Sequence, residues 1–233
     1  TAIPGVDSAL DNYKHYYEFL FVHEYTHILH IDQYYRLATP LRKVMGTVVT
    51  PNAATPGWMR EGMAVYEESA MDEHFGRINS DRTEMVLRSS YYNGVFPSID
   101  QIANLSKAFP AGMGAYLFGG RFFKWLADNY GEDRMYQYQK EYASTIFYFS
   151  LNNKARRVYG KSFYKLWKEF RRELEAKFEA KRRELTAKGL TALNTVVENK
   201  DTQSYYTVMP RGGGHAYYNA SHDEASRILI YKD

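Results

Sequence analysis

Through the first 189 residues apolar positions recur mainly three and four apart, and afterwards they fall in short runs. The pattern predicts a mainly α chain with a short C-terminal β segment. Thr1 to Leu10, with Pro4-Gly5, reads as a loop or strand end. From about Asp11 to Leu37 the apolar and aromatic side chains fall on nearly every side of the predicted helix, among them Tyr16, Tyr17, Phe19, Leu20, Phe21, Val22, Ile28, Leu29 and Ile31. A helix apolar all round is expected in the middle of a domain. Residues 38–57 are rich in turn formers, with a β-branched run at Val44 to Thr50. Thr55 and Pro56 then predict a helix start, Thr55 as N-cap and Pro56 at the first helical position.

Further on, Asp81 with Glu84 and Ser98 with Gln101 predict capping boxes. Gly114 to Gly131 reads as a helix closed by Gly131, with Phe122, Trp125 and Leu126 in its apolar stripe. Helices follow at Glu132 to Ala143 and Ser150 to Tyr159. Ser162 caps a long one to about Ala187, with Phe163, Trp167, Phe170, Leu174 and Phe178 along one side. After Gly189 come Ser204 to Met209, His215 to Ala220 and Arg227 to Tyr231, separated by turn-forming stretches as strands are. The expected organisation is a helical domain over 1–189 and a β segment over 190–233.

Composition narrows the function classes. With 45% hydrophobic and 24% charged residues the 233-residue chain is globular, and a formal charge of +3 is too small to argue for nucleic acid or an anionic membrane. Lys and Arg outnumber Glu between Lys154 and Glu184. Glu173 with Lys177 and Glu179 with Arg183 are at i,i+4 spacing, so this reads as a solvated helix face. The 22 tyrosines name no ligand by themselves. With no cysteine, disulfides and thiolate metal sites are excluded, and any zinc must use His and carboxylate. No apolar run approaches the roughly 20 residues of a membrane span.

The candidate chemistry lies in His23-Glu24-Tyr25-Thr26-His27. Two imidazoles four residues apart share a helix face and can reach one tetrahedral zinc. Glu24 would lie beside the metal, where a carboxylate can take a proton from water whose pKa the ion lowers to roughly 7. The pair could also be a hydrogen-bonded structural feature. His30 falls on nearly the same face one turn on. The families that use a third His place Gly before it to bend the chain back, and Ile28-Leu29 offers none, so His30 reads as a residue behind the ligands or in the core. On the next helix Glu61 and Glu68 share a face, while small Gly62 and Ala64 leave room for another helix beside a carboxylate. That run could also be an ordinary surface one.

His-Glu-x-x-His followed by Trp58-x-x-Glu61-Gly62-x-Ala64-x-Tyr66-x-Glu68 resembles the gluzincin metallopeptidases, in particular the aminopeptidase N family and bacterial peptidase MA-like domains. The 33 residues between His27 and Glu61 exceed the spacing usual in aminopeptidase N, so the fit is better to the peptidase MA-like group. The resemblance implies Glu61 as third zinc ligand. Tyr116-x-x-Gly119 is similar to a Tyr-x-x-Gly helix of the aminopeptidase N family, which implies Tyr116 as the donor to the developing oxyanion. The last two predicted strands resemble the start of a TolB-like β-propeller blade, although Arg211-Gly-Gly-Gly214 departs from the usual Ser-Pro-Asp-Gly turn. Gluzincins hold substrate along a sheet that precedes the active helix, and 22 residues before His23 leave little room for it. The expectation is a piece of a longer exported protein, periplasmic or extracellular, bacterial, and continued by a propeller.

The function expected is a zinc-dependent peptidase. His23, His27 and Glu61 would hold one Zn2+, Glu24 would act as general base, Tyr116 as oxyanion donor, and Glu68 would orient a ligand histidine. The partner is then a peptide or protein substrate, with no nucleic acid and no membrane span. The alternative is a non-catalytic zinc-containing scaffold or binding protein acting through the attached propeller.

Overall fold

The computed structural model describes residues 15–103, 109–145, 150–189, 203–221 and 225–232. The chain is mainly α with a short C-terminal β segment, and it divides into two compact units, Thr1–Arg183 and Glu184–Asp233. The division falls before the expected boundary at residue 189 and inside the last helix, whose residues 181–188 bury nothing.

In the first unit the helices are α1 (Tyr16–Ile31), α2 (Ala38–Met45), α3 (Gly57–Ala70), α4 (Asp81–Tyr92), α5 (Ile99–Ala103), α6 (Gly114–Tyr130), α7 (Glu132–Tyr142), α8 (Leu151–Tyr159) and α9 (Phe163–Lys188). α3 is the central element, packed against α6 and against α1. Its Trp58, Met59, Met63, Ala64 and Val65 are all buried. An aromatic core holds α3, α6 and α9 together. The Phe122 ring lies 5.6 Å from Trp58, 5.1 Å from Trp167 and 5.4 Å from Phe170, in tilted and edge-on arrangements that add about 0.5–1.5 kcal/mol per pair beyond burial. Two of the three indole N–H groups donate to acceptors at 2.6 and 3.2 Å, Trp125 to Glu173 and Trp167 to the Pro97 carbonyl.

Close helix approach decides where the site residues go. A Cβ built on Gly62 would lie 2.5 Å from the Gly119 backbone, and one on Gly119 would lie 2.6 Å from the Trp58 carbonyl oxygen. The room left by Gly62 therefore receives α6, not the histidine helix. This contact sets Tyr116, one turn before Gly119, beside Glu61.

Several local expectations are corrected. α1 is not enclosed: Phe19, His23, Thr26 and His30 face inward, while Phe21, Tyr25, Ile28 and Leu29 are exposed. The stretch expected to be turns and extended chain forms α2 and a 3-10 turn at Pro51–Ala54. Pro56, not Thr55, is the N-cap of α3, because the Thr55 hydroxyl bonds back to the Asn52 carbonyl. Ser80 caps α4 by accepting from the Arg82 amide, which leaves Glu84 free to reach Arg121 and Lys177. Glu173 and Lys177 bond to Trp125 and Glu84 instead of each other, and Glu179 takes Arg182. The Ser98–Gln101 box forms as expected, with bonds of 2.7 and 3.3 Å. Gly131 closes α6 at φ +86.

The second unit contains an antiparallel meander, β1 (Gln203–Arg211), β2 (Gly214–Ser221) and β3 (Arg227–Lys232), in sheet order β1-β2-β3. Gly212 and Gly213 make the hairpin turn, Gly213 at φ +77, where an L side chain is disfavoured. Across one face Tyr218 opposes Ile228 and Ala216 opposes Ile230, and Tyr218, Ile228 and Ile230 are exposed. No helix among the described residues is long and apolar enough to cross a membrane.

Candidate metal centre

α1 and α3 bring three potential ligands together. His23 and His27 stand one turn apart with perpendicular rings, centroids 4.9 Å apart. Glu61 Oε2 lies 3.5 Å from His23 Nε2 and 3.3 Å from His27 Nε2. A tetrahedral ion with bonds of about 2.1 Å keeps its donors roughly 3.4 Å apart, whereas N–H···O bonds close to about 2.7–3.2 Å. Both edges have the length of a metal's donor set, and in the metal-free protein the same atoms are left in long hydrogen-bonding contact. Among the described residues, His23, His27 and Glu61 form the group whose ligand atoms all lie within 4.8 Å of one another.

Each potential ligand has a physical reason for its place. His23 is buried, and its Nδ1 lies 2.9 Å from Glu68 Oε2, itself buried on α3. When Nδ1 donates its proton to that carboxylate, Nε2 is left as a lone pair aimed toward Glu61. His27 and Glu61 are about one-fifth exposed, so the group opens to solvent on one side. Glu24 is exposed on α1 alongside Phe21 and Tyr25, whose rings stack at 5.6 Å. The Tyr116 ring lies 6.1 Å from the His23 ring and nearly parallel to it. Burial raises the Tyr116 phenol, and the charge and hydrogen bond of Glu61 raise it further. The structure thus gathers His23, Glu24, His27, Glu61, Glu68 and Tyr116 into one region.

Burial works to raise the Glu61 carboxyl, but hydrogen bonds to His23 and His27 outweigh it and hold the group below the ordinary range. Burial lowers His23, and Glu61 with Glu68 more than reverse this, so His23 is raised.

His30 stays apart from the group. It is 2% exposed, and neither ring nitrogen has a hydrogen-bond partner, so it supports no ligand. Its carbonyl accepts from Asn52 Nδ2 at 2.8 Å, which ties the end of α1 to the 51–54 turn. Burial pushes its pKa down to about 4. Replacing a buried imidazole that lacks partners by an apolar side chain removes a desolvation penalty, so His30→Leu should stabilise the protein by about 1–3 kcal/mol at neutral pH.

The pH dependence has a definite sign. In metal-free protein the contribution of His23 is complete below pH 6.5 and lost as pH rises through its raised folded value. His30 protonates first in the unfolded chain, so stability falls as pH drops from 6.5 toward 4. Glu61 adds a further loss as pH falls below 4.5 toward its lowered folded value. Urea denaturation of the metal-free protein should therefore show a maximum near pH 6.5. His30→Leu should flatten the acid limb down to about pH 4.5 while leaving the alkaline limb in place. An unaltered acid limb would contradict this.

Sequence reasoning missed Arg77. It sits in the loop between α3 and α4, donates to Glu68 through Nε and Nη2, both at 2.7 Å, and is 7% exposed. Nothing at a motif spacing announces it.

No known family profile matches the chain, and no solved structure matches it. Similarity is found to an uncharacterized protein of Treponema pallidum (strain Nichols), 30% identical over 134 residues, which is 58% of this chain. The chain spans 11% of the length of that protein.

Proposed function

We propose that this chain is a zinc-dependent peptidase in which His23, His27 and Glu61 hold the ion. The observation that carries the reading is the convergence of two Nε2 atoms and one carboxylate oxygen at the edge lengths of a tetrahedral donor set. Zinc bound there would acidify water and polarise a substrate carbonyl. Glu24, exposed beside the ligands, takes the proton of the attacking water and returns it to the leaving amine. The Tyr116 hydroxyl, beside Glu61, donates to the oxygen that gains charge as the carbonyl becomes tetrahedral. Glu68 keeps the His23 proton on Nδ1. The exposed apolar strip of Phe21, Tyr25 and Ile28 on the Glu24 side of α1 gives peptide side chains a surface to lie on.

The test is cleavage of a peptide library by the purified chain. Hydrolysis abolished by a chelator and restored by zinc is expected, and Tyr116→Phe should lower kcat by about a hundredfold or more with little change in KM. Cleavage indifferent to chelator would overturn the mechanism.

The second reading, a non-catalytic zinc-containing scaffold acting through an attached propeller, draws on the open apolar face of the C-terminal meander. It predicts metal uptake without hydrolysis.

A further inference from the structure

Arg77 owes its position to a tightly laced loop. Gly76 takes φ +94 and packs so closely on α3 that a Cβ there would lie 2.6 Å from Ser69 Oγ. Ser69 Oγ accepts from the Ile78 amide at 3.2 Å. Asn79 Nδ2 lies within 2.8–3.1 Å of the carbonyls of Ser69, Asp72 and Phe75, two of which its hydrogens can satisfy at once. These bonds fold residues 72–79 back over the C-terminal half of α3 and aim the Arg77 side chain inward.

There its guanidinium meets three groups of the candidate metal centre. Its fork grips both oxygens of Glu68 at 2.7 Å, a geometry that fixes the carboxylate plane. Its Nη2 lies 2.9 Å from His23 Nδ1. Its carbon lies 5.0 Å from the centre of the Tyr116 ring, in cation–π range. A guanidinium only donates, so it cannot share a proton with an Nδ1 that already carries one. Were Nδ1 to accept from Arg77, the ring's proton would sit on Nε2 and point at Glu61, and His23 could not bind a metal. The carboxylate of Glu68 therefore has to accept the hydrogen bond from Nδ1–H, and the clamp holds it where it can.

We infer that Arg77 is a positioning residue for the metal centre, acting on His23 through Glu68 and bracing the ring of Tyr116. The inference rests on the proposed reading of His23, His27 and Glu61 as metal ligands. A lysine cannot replace the clamp, because a single ammonium neither fixes a carboxylate plane nor covers a ring as a planar fork does.

The experiment measures Zn2+ affinity by competition with a chromophoric chelator, and the visible spectrum of the Co2+ form. Both are applied to wild type, Arg77→Lys, Arg77→Met, Glu68→Gln and the Glu68→Gln/Arg77→Met pair, with folding checked by circular dichroism. Arg77→Met and Glu68→Gln should each weaken zinc binding by about 10–100-fold and shift the cobalt bands, with Arg77→Lys restoring only part of the loss. The pair should be no weaker than Glu68→Gln alone, since one path is interrupted twice. Wild-type affinity and spectrum in a folded Arg77→Met, or losses that add in the pair, would overturn the inference while leaving the metal centre standing. Should Arg77→Met fail to fold, Arg77→Lys decides, and an unchanged affinity and spectrum there overturns it. A wild type that binds neither ion overturns the reading beneath it as well.

Discussion

Glu24→Gln is expected to take up zinc as the wild type does and to lose peptide hydrolysis by about a hundredfold to ten-thousandfold. The two halves of this result separate two roles. Glu24 shares α1 with His23 and His27 yet is exposed and outside the candidate group His23, His27 and Glu61, so the amide should leave those donors where they are. A carboxamide has the shape of the carboxylate but cannot carry a proton from water to a leaving amine. The loss should therefore appear in kcat, with KM nearly unchanged. Hydrolysis at the wild-type rate in this variant would sink the mechanism, and loss of zinc would mean that Glu24 supports the site in some other way.

Gly119→Ala is expected to destabilise the protein by about 1–3 kcal/mol and to depress hydrolysis together with stability. The added methyl would meet the Trp58 carbonyl oxygen at 2.6 Å and the Gly62 Cα at 3.0 Å, backbone atoms that cannot rotate aside. α6 must then move off α3. Tyr116 on α6 and Glu61 on α3 are the residues that this separation pulls apart. Gly114→Ala provides the control on the same helix, because its nearest neighbour is the Ile102 Cγ2 methyl at 3.4 Å, an ordinary packing distance. That variant should unfold at or above the wild-type temperature in thermal melts, since Ala favours a helix over Gly. Equal effects of the two substitutions would remove close helix approach as the reason Tyr116 stands where it does.

What could be read in advance divides by the range of the interaction. His23 and His27 are neighbours on one helix turn, so their juxtaposition follows from spacing alone, as do the Ser98–Gln101 box and the aromatic stripe of α9. Glu61 and Tyr116 required a motif resemblance, because they reach the site through packing of α3 on α1 and α6 on α3. The small residue at Gly62 was a legible signal of close approach, but sequence could not say which helix would come. Arg77 was illegible: its place depends on a loop held by Asn79 and Ser69, and no periodicity records such bonds. His30 read as a residue behind the ligands or in the core, and burial makes it core. The structure buries it without a partner on either ring nitrogen. The exposed side of α1 shows the same limit, since composition says that a helix is apolar but not which of its sides the rest of the chain covers.

Zinc-edge anomalous scattering from crystals of the chain grown with zinc would locate the ion. One strong peak is expected within about 2.0–2.2 Å of His23 Nε2, His27 Nε2 and a carboxylate oxygen of Glu61. A peak bound elsewhere, or none at these three residues, would contradict their reading as zinc ligands.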